Sequence, residues 1–155
     1  MAETPQDLLT ALQDPDEAVR AEATQELWQH WFTQKGAWGL AQLSRAQTHW
    51  EAGELDQAEK VLTNLVQDQP DFAEAWNRRA VLYYLQGQYP SALHDCERVL
   101  ALVPVHFGAL HGQGLCYAAL GEYALAIQSF RRALTVQPHA LVNQKLILEC
   151  TALLS

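Results

Sequence analysis

Prolines at positions 70, 104 and 138 stand 34 residues apart both times. Gly53, Gly87 and Gly121 keep the same interval, as do Ala58, Ala92 and Ala126. A fixed period of this length marks copies of one supersecondary unit, and no single copy can bury its apolar face alone. The chain is therefore expected to stack its units side by side around a shared core.

Within a unit, the pattern is helical. Residues 73–86 place Trp76, Ala80, Tyr83 and Tyr84 at helical spacing, and Gly87 then interrupts the run. Glycine can take the left-handed backbone conformation that ends a helix. The run resumes over 89–102 with Tyr89, Ala92, Leu93, Cys96, Val99 and Leu100, and Pro104 stops it. Each unit reads as a helical hairpin. Ala46, Ala80 and Gly114 fall at one repeat position in the first helix, and Ala58, Ala92 and Ala126 at one in the second. Small side chains there let the two helices approach closely, and a larger one would cost about 1–3 kcal/mol.

These residues resemble the tetratricopeptide repeat (TPR) family. The middle copy carries Trp76, Ala80, Tyr83, Gly87, Tyr89, Ala92 and Pro104. The third carries Leu110, Gly114, Tyr117, Gly121, Tyr123, Ala126, Phe130, Ala133 and Pro138. The first departs from the pattern, with Gln42, His49 and Leu65 where the family has Trp, Tyr and Ala, but it keeps Ala46, Gly53, Ala58, Leu62 and Pro70. The resemblance implies an all-α, right-handed superhelix of three hairpins over residues 36–138 (repeats near 39–72, 73–106 and 107–140). A capping helix over 140–155 follows. There Leu141, Leu146, Ile147, Leu148, Leu153 and Leu154 would supply apolar contacts, and Asn143, Gln144 and Glu149 would face water.

Residues 1–35 lie outside the period. Leu8, Leu9 and Leu12 share one face of a short helix within 5–13, and Val19, Ala23, Leu27 and Trp31 recur every four residues in a second. Asp14-Pro15-Asp16-Glu17 reads as its start, with Asp14 as N-cap and Glu17 as the reciprocal acid. With Arg20, this segment is similar to one HEAT repeat. Trp28, Trp31 and Phe32 must pack on something. They are expected to cap the first hairpin, with entry into the groove of the superhelix or display to a partner as the alternatives. Trp38 is expected at the joint.

Residues 1–72 carry thirteen acids against four bases. That imbalance argues against nucleic acid, which needs a basic stripe. No signal peptide or membrane span is evident, so the cytoplasm is the expected setting. Cys96, Cys116 and Cys150 are odd in number and widely spaced, and they read as buried thiols of a reducing compartment. His106 and His111, five apart, are poorly spaced for a metal, and His49 reads as a packed neutral histidine. Gly112-Gln113-Gly114 lacks the strand and third glycine of a nucleotide loop. No catalytic residues, metal or cofactor are assigned, and the chain is not read as an enzyme.

The family resemblance implies that the first helix of each hairpin lines a concave surface. Carried over by repeat position, that surface is Leu40, Leu43, Gln47 and Trp50; then Glu74, Asn77, Val81 and Tyr84 with Arg78 at the rim; then Gly108, His111, Leu115 and Ala118. The candidate binding residues are Leu43, Gln47, Trp50, Glu74, Asn77, Arg78, Val81, Tyr84, His111 and Leu115. Such a groove holds about eight residues of extended peptide or one short helix. Glu74 and Glu51 would favour a basic residue in it. The family's clamp for acidic chaperone tails is not matched: its positions hold Leu43, Gln47, Arg78, Gly108 and Gly112, with one cation. The expected function is an adaptor or assembly factor that binds a protein segment. A second reading is a self-associating module, monomer or weak dimer, joined through the aromatic N-terminal helix with its groove closed by its own N-terminus.

Overall fold

The computed structural model describes residues 3–154 and folds them into helices joined by short turns. The elements are α1 (Pro5–Ala11), α2 (Glu17–Phe32), α3 (Gly36–Glu51), α4 (Leu55–Asp68), α5 (Ala73–Leu85), α6 (Tyr89–Leu102), α7 (Phe107–Ala119), α8 (Tyr123–Val136) and α9 (Leu141–Leu154). Three hairpins, α3/α4, α5/α6 and α7/α8, stack in chain order, with α9 following on α8. Gly53, Gly87 and Gly121 turn each hairpin with φ of +77°, +75° and +78°, where a side chain would be strained.

The close approach within hairpins follows from the small residues. Ala46, Ala58, Ala80, Ala92 and Ala126 are buried. A Cβ on Gly114 would overlap the Phe130 ring, so the third hairpin closes around a glycine. Gly112 is different: a Cβ there would make ordinary contact with Cys96 Sγ at 3.6 Å, so the position merely tolerates glycine. Asp95, fully buried on α6, receives Nε and Nη2 of Arg79 at 2.7 and 2.9 Å, while Arg79 also donates to Thr63. This bidentate pair fastens α4, α5 and α6 and holds the guanidinium more firmly protonated than usual.

The two ends depart from expectation. α2 begins at Glu17, two residues later than the sequence suggests, because Asp16 caps it by accepting from Ala18 N–H at 2.9 Å. Asp14 instead accepts from Asp16 N–H, and Arg20 donates to the carbonyls of Asp14 and Pro15 rather than to a carboxylate. α1 carries its own capping box, Thr4 with Asp7, which the sequence reading overlooked. Trp38 is 48% exposed on the first turn of α3 instead of sealing a joint. On α9 the polarity is partly reversed. Asn143 is buried, whereas Leu141, Leu148, Leu153 and Leu154 are exposed, Leu148 by 71%. Leu146, Ile147 and Cys150 supply the contacts to α8, and Asn143 is drawn inward because His111 Nδ1 bonds its Oδ1 at 2.7 Å.

α2 does not extend the stack as a further layer on the first hairpin. It crosses the array. Its C-terminal end is tied to the α4–α5 turn, where Gln34 and Lys35 reach Asp71 at 2.9 and 2.7 Å. Its middle meets the α8–α9 turn, where Gln137 donates to Thr24, and Gln13 of the α1–α2 turn donates to the Val136 carbonyl. Sixteen residues of helix span about 24 Å, enough to step over two repeats. Leu8, Leu12, Ala23, Leu27 and Trp31 cluster with Phe107 of the third repeat. A cap confined to the first hairpin could not make that contact.

Candidate functional site

The first helices of the three hairpins are α3, α5 and α7, and α2 lies over the turns where α5 and α7 begin. Trp31 stacks on His106 with ring centroids 3.9 Å apart, and Trp28 meets both His106 and Phe107 edge-on at 5.3 Å. Gly108 makes room for this, since a Cβ there would come within 2.5 Å of the Trp28 ring. The aromatic stripe Trp28, Trp31, Phe32 therefore faces inward.

Beneath the stripe is a buried polar cluster. Glu74 is 1% exposed. Its Oε1 accepts from Asn77 Nδ2 and Arg78 Nε, both at 3.3 Å, and its Oε2 lies 3.2 Å from His106 Nε2. His106 caps α7, with Nδ1 accepting from Ala109 N–H at 3.1 Å. That bond leaves Nδ1 without a proton, so the proton sits on Nε2 and is donated to Glu74. Arg78 also donates to Gln47 Oε1 at 2.9 Å and lies 5.0 Å over the Phe32 ring. Each charge in the cluster thus has its partners, and the carboxylate expected to meet a ligand's cation is committed internally.

Beyond the cluster α2 leaves the face open. A cavity of 770 Å³ lies between α2, the later turns of α3 and the first three turns of α5, lined by Gln25, Glu26, Trp28, Gln29, Phe32, Gln47, Trp50, Glu74, Asn77, Arg78 and Val81. Six of the ten candidate residues meet there: Gln47, Trp50, Glu74, Asn77, Arg78 and Val81. The other four do not line it. Leu43 is buried in the main core against Phe32 rather than exposed. Tyr84 packs its ring 5.5 Å from Tyr89, and burial raises its hydroxyl above the ordinary value. His111 is held by Asn143, and Leu115 packs among Ala126, Ile127 and Phe130, so α8 and α9 engage this end of the face. The wall supplied by α2 was missing from the candidate set. Its signal in the sequence was Trp28 and Phe32 at a spacing of four, together with a glycine at concave position 108.

A model of the tetratricopeptide repeat matches residues 43–104 and 86–140, which together make up more than half of the chain. The chain belongs to the tetratricopeptide repeat family. The match leaves out α1, α2 and the first turns of α3, and the HEAT likeness of the N-terminal segment gains no specific support. A TPR repeat-containing protein of Rhizobium etli is 41% identical over 69 residues, which are 44% of this chain and 34% of that protein. The chain thus spans about a third of that relative's length. In fold it is similar to the first TPR domain of Spaghetti (RPAP3) bound to the HSP90 peptide SRMEEVD, with a TM-score of 0.71 and 21% identity over 75% of this chain and 93% of that one. It is also similar to the TPR2B domain of yeast Sti1 in complex with an Hsp70 peptide, with a TM-score of 0.65 and 18% identity over 72% and 98%. MamA gives 0.67 and 22% over 70% and 64%. At these identities the likeness speaks for the fold. The chaperone peptides in two of these TPR structures stand at odds with the exclusion of an acidic tail drawn from the sequence. Among the described residues no helix is long and apolar enough to cross a membrane.

Proposed function

We propose that this TPR protein is a non-catalytic adaptor or assembly factor that holds a short segment of a partner protein in the open part of its concave face. The observation that carries this reading is the 770 Å³ cavity, with Trp28, Phe32, Trp50 and Val81 as apolar walls above a satisfied polar floor. Its size falls in the range of about 300–1,000 Å³ usual for binding pockets. The acid–imidazole pair at its edge is ill suited to proton transfer. Both His106 nitrogens are engaged and its ring lies under Trp31. Three free, buried thiols fit a reducing compartment such as the cytoplasm.

The acidic tails seen with similar folds suit this groove poorly. Arg78, the one cation on the cavity wall among the described residues, is already shared by Glu74, Gln47 and Phe32. Titration with SRMEEVD tests this point, and saturable binding in the cavity would reverse it. The groove itself is tested with Val81→Glu. Val81 is 42% exposed, so the change places a charge in the cavity without opening the core. Proteins captured by the wild type from its native source are expected to be lost by the variant while its melting curve is unchanged. Equal capture by both would remove the groove from the function.

A further inference from the structure

We propose that the cavity recognises a partner peptide through a lysine or arginine side chain, and that the residue reading it is Glu26 of the N-terminal helix, outside the repeats. This inference rests on the groove reading above. It starts from the charges that line the cavity, which are Glu26, Glu74 and Arg78. Glu74 is enclosed by Asn77, Arg78 and His106, and Arg78 is divided between Glu74, Gln47 and the Phe32 ring. These two neutralise one another. Glu26 is half-buried on the cavity wall and, among the described residues, makes no hydrogen bond or ion pair. A half-buried carboxylate without a partner loses hydration that a ligand's cation restores.

The walls fit the same side chain. Trp28 and Trp50 line the same cavity as Glu26. Aromatic faces attract a cation and accept the methylene stem that lysine and arginine carry behind their charge. An acidic side chain would meet the opposite of what it needs: an unpaired carboxylate, ring faces and a guanidinium already in use. The acidic surface of residues 1–72 adds long-range attraction for a basic segment. The repeats thus supply shape, and α2 supplies the sign of the charge that is read.

The experiment is a display selection of random peptides of about eight residues on the full chain, with affinities of the selected peptides measured by calorimetry. Enrichment of a lysine or arginine flanked by apolar residues is expected. Glu26→Gln should weaken those peptides roughly fivefold with no change in melting temperature, and Glu26→Lys should turn the selection toward acidic residues. Trp50→Ala should weaken them further. Selected peptides that lack a basic residue but are lost on Val81→Glu would overturn the Glu26 assignment and leave the groove standing. Peptides indifferent to both Val81→Glu and Trp50→Ala, or no enrichment at all, would overturn both readings. Preference for SRMEEVD, or capture of a second copy of the chain through the same residues, would give the cavity another occupant and overturn the proposal.

Discussion

The two ends of the face formed by α3, α5 and α7 meet α2 differently: one is sealed and the other is open. Where α7 begins, His106 and Gly108 lie under Trp31 and Trp28. On α3 and α5, Gln47, Trp50 and Val81 border a cavity whose floor includes Glu74. The repeat period does not distinguish the two. What separates them is the path of α2, fixed by ties to Asp71 just past its end, to Gln137 at its middle and to Val136 from the turn before it. The comparison shows that in this fold the shape of the open face can be set by a segment that is not a repeat.

The largest expected effect is on the sealed half. Trp31→Ala removes the ring that stacks on His106 and shares a core with Leu8, Leu12, Ala23, Leu27 and Phe107. Loss of a buried aromatic of this kind costs about 3–5 kcal/mol, to be read from urea unfolding. A cost under about 1 kcal/mol would mean that α2 only rests on the face, and the division into sealed and open halves would fail.

Gly108 sharpens the same point. Gly108→Val forces a branched side chain against Trp28, which is hemmed in by Trp31, Phe32 and Phe107. Overpacking should cost about 1–3 kcal/mol, with only a few tenths returned by helix propensity. The diagnostic measurement is the double-mutant cycle. In a Trp28→Ala background the valine should cost less by at least about 1 kcal/mol. Strictly additive costs would show that the glycine serves something other than the passage of α2.

The periodic part of the molecule was legible because its rules are local. Glycine at 53, 87 and 121 and small residues at 46, 80 and 114 each answer a demand within one hairpin, and helix limits near 73–86 and 89–102 follow from them. The candidate site was legible in part. Gln47, Trp50, Asn77 and Val81 come from repeat position alone. What position could not reveal is which groups become each other's partners. Glu74 and His106 are 32 residues apart, and their bond exists because adjacent repeats bring the start of α7 beside α5. His111 and Asn143 repeat the same separation one step on, and that bond is why α9 buries an amide and leaves leucines outside. The course of α2 was the hardest to foresee. Its aromatic stripe announces burial but carries no register to say against which repeat, and the contact with Phe107 joins residues some eighty positions apart.

The smallest expected effect concerns the tie at the end of α2. Lys35 Nζ meets Asp71 Oδ2 at 2.7 Å, on a site where the carboxylate is mostly exposed. The lysine holds the Asp71 carboxyl below its ordinary range, chiefly through their hydrogen bond. A carboxyl depressed in the folded state contributes stability above its unfolded value, near pH 3.9 or so. That contribution fades as pH falls through the lower folded value. Lys35→Met should therefore lower the urea midpoint slightly at pH above about 5, by less than either change under α2, and added salt should shrink the difference. At pH low enough to protonate Asp71 in both proteins the two midpoints should converge. A difference that persists there would locate the role of Lys35 in the packing of its stem against the chain, not in its charge, and the anchoring of α2 would then rest on Gln34 and the aromatic contacts alone.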